Sequence, residues 1–419
     1  MTRLEGLGSR VSSGAVLGAV LLAPLLAYLW PLGFAAIVAL AGVVAVLGRL
    51  VPGARVEGPL AKPRLPGLRM SMFAPLAMLL LIVLFAVVSV NWSPAYEQFG
   101  PMATYQEAES QTWLKLPMQL GLYAAVVLAT VRLGPLAARR GADWLVWGAA
   151  ALSVLCLFEG LSGALLYQGL REMIGDPIRP DLAVKNVAQA TYVLALMAWP
   201  AMAVLRDRER DRIALLVAAA ALISPLLLKT WAPAAAFVAA GAAALIVRRA
   251  PIMGPRIVAG AAAGFMLLAP WLILMARPLL ESVKANLGAS WAARIDIYAF
   301  TAERIGERPL QGWGLDASRL FDPPVPLHPH DAALQVWLEL GLAGSVLAAA
   351  FWALVFAGRS GKPGGASAVA AGSAYFIIGA LSFGVWQEWW LALGALTAVW
   401  GGLAAREAAE DPDAMLIEA

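Results

Sequence analysis

The chain has 419 residues, 61% of them hydrophobic and only 14% charged. So few charges cannot cover the surface of a water-soluble protein of this length. The net charge of +4 is weak evidence for an acidic partner, no nucleic acid is expected, and the single cysteine, Cys156, excludes an internal disulfide and a cysteine-rich metal site.

The apolar residues fall in blocks near the roughly 20 residues that cross a bilayer. Twelve spans are predicted, at about 12–30, 32–49, 70–90, 114–131, 143–166, 187–205, 213–228, 231–247, 257–275, 332–357, 366–386 and 388–405. The fold class is therefore an all-α, polytopic membrane protein. The first block has signal-peptide length, but no small-residue processing site follows it. Pro31 leads directly into the second apolar run, so the block is expected to stay as a span.

Orientation follows from the basic residues. With the N terminus inside, the inside segments hold Arg3, Arg10, Arg49, Arg55, Lys62, Arg64, Arg69, Arg132, Arg139 and Arg140. They also hold Arg206, Arg208, Arg210, Arg212, Arg248, Arg249, Arg256, Arg359, Lys362 and Arg406, making 20 of the 31 Lys and Arg. Six of the remainder lie in one long outside loop, which carries little weight in the positive-inside rule. Both termini are expected to be cytoplasmic.

Three outside segments are predicted to matter. Asn91–Trp113 carries Glu97, Glu107 and Glu109, and Tyr167–Asn186 carries Arg171, Arg179 and Lys185. The third, 276–331, is far longer than a connection requires and divides the chain into spans 1–275, this loop, and spans 332–419. Within it Glu281–Ile305 has helical spacing, with Val283, Leu287, Trp291 and Ile295 on one stripe, and reads as an amphipathic helix on the membrane surface or the bundle. Glu307–Gly314 (ERPLQGWG) breaks it with Pro and Gly, and Asp322–Pro329 reads as extended.

Both histidines of the protein, His328 and His330, close this loop in LHPHDAALQVWLELGLAG. Pro329 disfavours helix, so His330 sits at the helix start and Asp331 is placed to cap it. A histidine there titrates near neutral pH and can take a proton from a hydroxyl; the plainer reading is an interfacial loop residue. Two histidines without cysteine are too few ligands for zinc. Glu339, inside the following span, is either functional or a partner for a neighbouring helix. Gly341 and Gly344 read as close-packing positions, and Glu159 and Glu388 as structural. Outside arginines run against the positive-inside bias and point to an anionic partner. Arg294 stands four residues before Tyr298 in SWAARIDIY, and its planar fork suits phosphate oxygens. For any one arginine, lipid headgroups or the nearby Glu172, Asp176 or Asp296 would serve as well. Trp30, Trp92, Trp113, Trp386, Trp389 and Trp390 stand at predicted span ends, as in an aromatic belt.

The stretch HDAALQVWLELGLAG, preceded by the long outer loop, resembles the signature of the O-antigen ligase and polymerase family. In that family a His followed by a small polar residue precedes a Gly pair at about this distance. Here these are His330, Asp331, Gly341 and Gly344, with Asp331 departing from the uncharged residue more usual there. SWAARIDIYAFTAERIGERPLQGWG resembles the family's arginine-bearing helix and its Pro-Leu-x-Gly-x-Gly turn. The resemblance covers about Ser290–Gly344 and extends loosely, through the span count, over the rest. It implies a GT-C-like membrane fold and a donor glycan carried on undecaprenyl diphosphate. The acceptor is a sugar hydroxyl of lipid A-core (a ligase) or of a second lipid-linked glycan (a polymerase), on the periplasmic side of the inner membrane among membrane lipids. No metal and no other cofactor is implied. His330 would be the base and Arg294 a diphosphate ligand. Arg179 and Arg171 compete for the second such place, and Lys185, His328, Tyr298, Asp331 and Glu339 would line the site. A protein-glycosylating relative is a third enzymatic option. A transporter or flippase is the reading from another class; it would require inverted repeats and helices broken near the midplane.

Overall fold

The computed structural model describes residues 7–50, 70–99 and 111–410. Arg3, Arg55, Lys62, Arg64, Arg69, Glu107 and Glu109 lie outside the described residues, as do the side chains of Arg49 and Glu97. The described residues form helices and no strand. They are α1 (Leu7–Leu29), α2 (Gly33–Leu50), α3 (Met70–Ser89), α4 (Pro94–Phe99), α5 (Thr112–Val131), α6 (Pro135–Ser162), α7 (Leu165–Met173) and α8 (Pro180–Asp207). Then follow α9 (Asp211–Leu227), α10 (Ala232–Arg249), α11 (Met253–Lys284), α12 (Ala289–Glu307), α13 (Ala332–Ala357), α14 (Gly365–Leu381) and α15 (Glu388–Glu410).

Each of the twelve predicted spans falls on a helix. Eight of these helices are long and apolar enough to cross a membrane by length and composition, and α2 and α14 are shorter apolar helices. The chain is an all-α, polytopic membrane protein. Large apolar side chains turned outward, such as Leu136, Leu161 and Leu215, leave the bundle surface without a polar coat. A bilayer accepts that surface and water does not. In α8, 83% of the apolar window is buried, against 22% in α3, so α8 is the central post. Its alanines let α6, α9, α14 and α15 approach closely.

Helix ends follow local chemistry. Pro135 and Pro180 occupy first-turn positions of α6 and α8, where a missing N–H costs nothing. Gly163, at φ +72°, closes α6 in the left-handed conformation. The predicted amphipathic helix over 281–305 is instead split. α11 continues to Lys284, and α12 starts afresh after Gly288, whose extended backbone (φ −62°, ψ 151°) cannot continue a helix.

Helix directions alternate, so the two ends of the bundle differ. At one end Arg208 bridges Asp143 (2.5 Å) and Glu407 (2.7 Å), and Arg406 donates to the Leu133 carbonyl at the end of α5 (2.7 Å). At the other end Tyr28 of α1 donates to Glu159, which is fully buried and also accepts from the backbone N–H of Tyr167 at 2.8 Å. Glu159 thus anchors α7, as its structural reading expects. The loop between α12 and α13 lies at this second end.

α13 is not continuous. Gly341 stands at φ 60°, ψ −157°, a conformation open only to glycine, and breaks the helix. The turn 309–314 fills the break. Trp313 N–H donates to the Leu338 carbonyl and Gly314 N–H to that of Glu339, both at 2.8 Å, while the Pro309 carbonyl accepts from Leu342 N–H at 2.8 Å. Two carbonyls and an N–H freed by the break thereby find partners. Gly341 and Gly312 face each other so closely that a Cβ on Gly341 would stand 2.5 Å from the Leu310 carbonyl oxygen. Gly341 therefore admits a turn, not a neighbouring helix as its sequence reading has it.

Candidate functional site

The site is assembled where α12, the 315–331 loop, α13 and the 382–387 turn meet. Three non-glycine residues in this loop, Asp316 (φ 61°), Leu327 (φ 65°) and His330 (φ 59°), hold left-handed backbone. That conformation costs energy in a side-chain-bearing residue and concentrates where geometry is functionally constrained. Asp331 accepts from Ala333 N–H (2.8 Å) and Leu334 N–H (2.9 Å), capping α13 and fixing the chain just below His330. Its burial pushes its carboxyl up to about 7, against the pull of those two N–H donors.

The C-terminal end of α14 organises the two residues singled out in the sequence. A helix end presents unpaired carbonyls that attract cations and N–H donors. The His330 ring Nδ1 lies 3.1 Å from the Ser382 carbonyl, and an Arg294 guanidinium N–H donates to the adjacent Leu381 carbonyl. Because a carbonyl only accepts, His330 carries its proton on Nδ1 and presents a lone pair on Nε2. Burial lowers the His330 pKa, the Ser382 hydrogen bond opposes that, and the Arg294 charge adds to it. Arg294 also stacks over the Trp291 ring, 4.7 Å from its centroid, and has no carboxylate partner among the described residues. The Tyr298 hydroxyl donates to the His330 carbonyl at 3.4 Å, and burial drives its phenol pKa up, so it stays protonated.

His328 is turned the other way. Its Nδ1 accepts from His330 N–H at 3.1 Å, so its proton is on Nε2, 3.0 Å from the Gln387 side-chain amide. That proton needs an acceptor, and the Gln387 Oε1 is buried without a partner. Turning the Gln387 amide over pairs its oxygen with that proton and leaves the amide NH2 at the buried, partnerless end. The two imidazole rings meet edge to face at 4.4 Å between centroids. Burial and the neighbouring His330 hold the His328 pKa at about 3, so it is neutral in the folded protein.

Glu339 is fully buried. It accepts from Asp316 N–H (3.1 Å), Trp386 Nε1–H (2.6 Å) and Gln335 Nε2–H (3.1 Å). Asp316 in turn accepts from Tyr96 (2.7 Å) and Thr112 (2.9 Å). Glu339 is thus a knot tying α13 to the loop and to the 382–387 turn.

The remaining predicted site residues are not brought to this point. Arg171 is engaged by Asp176, and Arg179 is held by Asp181 through two hydrogen bonds of 3.0 and 2.8 Å. Both lie at the α7–α8 corner, and neither touches His328, His330 or Arg294. Lys185 is exposed on α8. Lys229 comes nearer. It sits exposed in the α9–α10 turn, and its neighbour Thr230 bonds Tyr192 of α8 at 3.2 Å. Tyr192 packs on Phe383, next to Ser382, at 4.9 Å between ring centroids. Reasoning along the chain misses Lys229 because only folding brings the α9–α10 turn beside residue 383.

Two cavities flank the site. One, about 340 Å³, is apolar and runs beside α13 from Ala332 and Trp386 at the site to Arg359 and Gly401 at the far end. The other, about 430 Å³, is polar and lies on the His328 side, with Lys115, Asp316, Arg319, Gln387 and Glu388 in its wall. Lys115 pairs with Glu388, in keeping with the structural reading of Glu388. Trp389 and Trp390 are buried and stack inside the bundle, Trp390 on Tyr375 at 4.3 Å, and so form no belt. Among the described residues no group of three His, Cys, Asp or Glu side chains could hold a metal ion.

Residues 213–349 match the family model described as O-antigen ligase. Two relatives are named "putative polysaccharide ligase". The protein of Rickettsia conorii is 34% identical over 125 residues, covering 25% of this chain and 30% of its own length. That of Rickettsia bellii is 37% identical over 123 residues, covering 25% and 29%. The alignment thus spans under a third of either relative. No solved structure matches the chain.

Proposed function

We propose that this chain, whose residues 213–349 are similar to the O-antigen ligase family, transfers a glycan from undecaprenyl diphosphate to a sugar hydroxyl on the periplasmic face of the inner membrane. The observation that carries the reading is the pairing of His330 and Arg294 on adjacent carbonyls, Ser382 and Leu381. It sets an unprotonated imidazole nitrogen beside a cation that lacks a carboxylate. In the reaction His330 Nε2 takes the proton of the acceptor hydroxyl as its oxygen bonds to the anomeric carbon. The bond from that carbon to the phosphate oxygen breaks with both electrons leaving on undecaprenyl diphosphate. Arg294 stabilises the charge developing there. Attack opposite the leaving group inverts the anomeric centre. The apolar cavity beside α13 takes the isoprenoid tail. As the second cation for the diphosphate we take Lys229, whose turn packs toward Phe383, ahead of Arg171 and Arg179, which their own carboxylates hold. The sugar hydroxyl belongs to lipid A-core in the ligase form of the reaction and to a second lipid-linked glycan in the polymerase form. The proposed mechanism asks nothing of a metal.

A transporter would show broken helices whose freed backbone faces a cavity. α13 is broken, but the turn 309–314 takes up the freed groups, which favours an enzyme. The test is glycan transfer by purified protein from synthetic undecaprenyl diphosphate glycan to lipid A-core or a second lipid-linked glycan, in chelator. Transfer by the native protein and its loss in folded His330→Ala are expected; full activity in that variant overturns the mechanism.

A further inference from the structure

The polar cavity has a chemistry unlike that around Arg294. Its two cations, Lys115 and Arg319, each face a carboxylate, Glu388 and Asp316 (the latter pair at 3.3 Å). With His328 neutral, these four charges cancel. A phosphate would meet two carboxylates there, so this is not an anion site. A sugar ring, by contrast, carries hydroxyls that each donate and accept, and it needs both kinds of partner in one small space. Gln387 reaches this wall with one end of its amide spent on His328 and the other end buried without a partner. A buried, unpaired amide group costs about 1–3 kcal/mol and calls for a ligand or water. Trp386 and Trp389 add aromatic faces to the same wall. The volume, about 430 Å³, lies within the range of small-molecule pockets.

We propose that this cavity is a carbohydrate subsite that seats the accepting sugar unit, with Gln387, Lys115 and Glu388 bonding its hydroxyls. The proposal rests on the glycan-transfer reading above and names where the acceptor lies within it. His328 lines the cavity and touches the His330 ring, so a sugar there stands one imidazole away from the base. The diphosphate-bearing donor then occupies the Arg294 side, and the acceptor extends from the cavity past the His328 ring to bring its attacking hydroxyl to His330. Trp389 and Gln387 also hold the 382–387 turn in place, so a filled cavity supports the carbonyl that orients His330.

The test reads sugar binding directly. Saturation-transfer NMR on nanodisc-embedded protein uses the methyl glycosides of glucose, galactose, mannose and glucosamine as probes. Signal from at least one glycoside is expected for the native protein and for His330→Ala. Gln387→Met removes one hydrogen bond and should weaken that signal about fivefold. Ala35→Trp fills the cavity from its α2 wall and should abolish it; this second variant holds the test open should Gln387→Met fail to fold. Absence of signal for all four glycosides, or signal unchanged in both folded variants, overturns the proposal. Sugar binding without transfer from any lipid-linked donor would instead overturn the catalytic reading and leave the subsite standing.

Discussion

At the residue scale, the two histidines are separated by the direction of a single proton each. His330 gives its Nδ1 proton to the Ser382 carbonyl and His328 keeps its proton on Nε2, toward Gln387. Because burial lowers the His330 pKa, the base stays neutral below the ~6.5 of a free imidazole. The acid limb of kcat/KM is therefore expected below pH ~6.5; a limb above pH ~7 would contradict the assignment. His328 bears on stability. Its pKa falls to about 3 on folding, so the unfolded chain binds the extra proton between pH ~6.5 and ~3. Stability from this group is present above ~6.5 and is lost as pH falls toward ~3. His328→Gln should melt with a shallower decline over that range than the native protein in the same detergent. Asp331 supplies a third check. Asp331→Ala removes the cap and should cost ~0.5–2 kcal/mol, whereas Asp331→Asn keeps an oxygen for the two N–H donors and should cost less. His330 and Arg294 could be found along the chain because each carries a rare side chain in a local pattern. Gln387, Ser382 and Lys229 could not, since their roles exist only once α8, α14 and the α9–α10 turn converge.

At the scale of elements, α13 and the turn before it are one unit. Gly341→Ala places a Cβ 2.5 Å from the Leu310 carbonyl and forces a side chain onto φ 60°, ψ −157°. Backbone strain alone is worth ~1–3 kcal/mol, and the clash adds to it. A clear drop in melting temperature is expected, with loss of transfer, because the displaced turn carries Asp316 and hence Glu339 with it. An unchanged melt would show that the turn does not hold the break. Helices themselves were legible from hydrophobic block length, whereas α12's start after Gly288 was not, because the apolar stripe over 281–305 runs through that glycine. The division of α13 was not, since a glycine in an apolar run reads equally as a close-packing position. Only the three-dimensional return of residues 309–314 decides between the two.

Across the whole molecule, the short-loop basic residues such as Arg208 and Arg406 and the candidate site occupy opposite ends of the bundle. That separation is what the proposed orientation requires, with Arg208 and Arg406 inside and His330 outside. Cys156 is fully buried and gives little background to a membrane-impermeant maleimide. Single cysteines at the exposed Gln311 or Met173 should label in intact cells, and one at the exposed Arg212 should label only after lysis. Labelling of the Arg212 position from outside would reverse the topology and move the donor to the cytoplasm.

The turn threaded into α13 also constrains how such a protein can be recombined. Residues 309–314 and 338–343 share hydrogen bonds that neither stretch can satisfy alone. A loop grafted from a relative brings only half of that set. Chimeras that exchange the long loop should therefore fold only when the junction falls beyond residue 343, so that turn and broken helix travel as one cassette. Acceptor preference, if it is written in this loop, would then be inherited together with the first half of α13 and never apart from it.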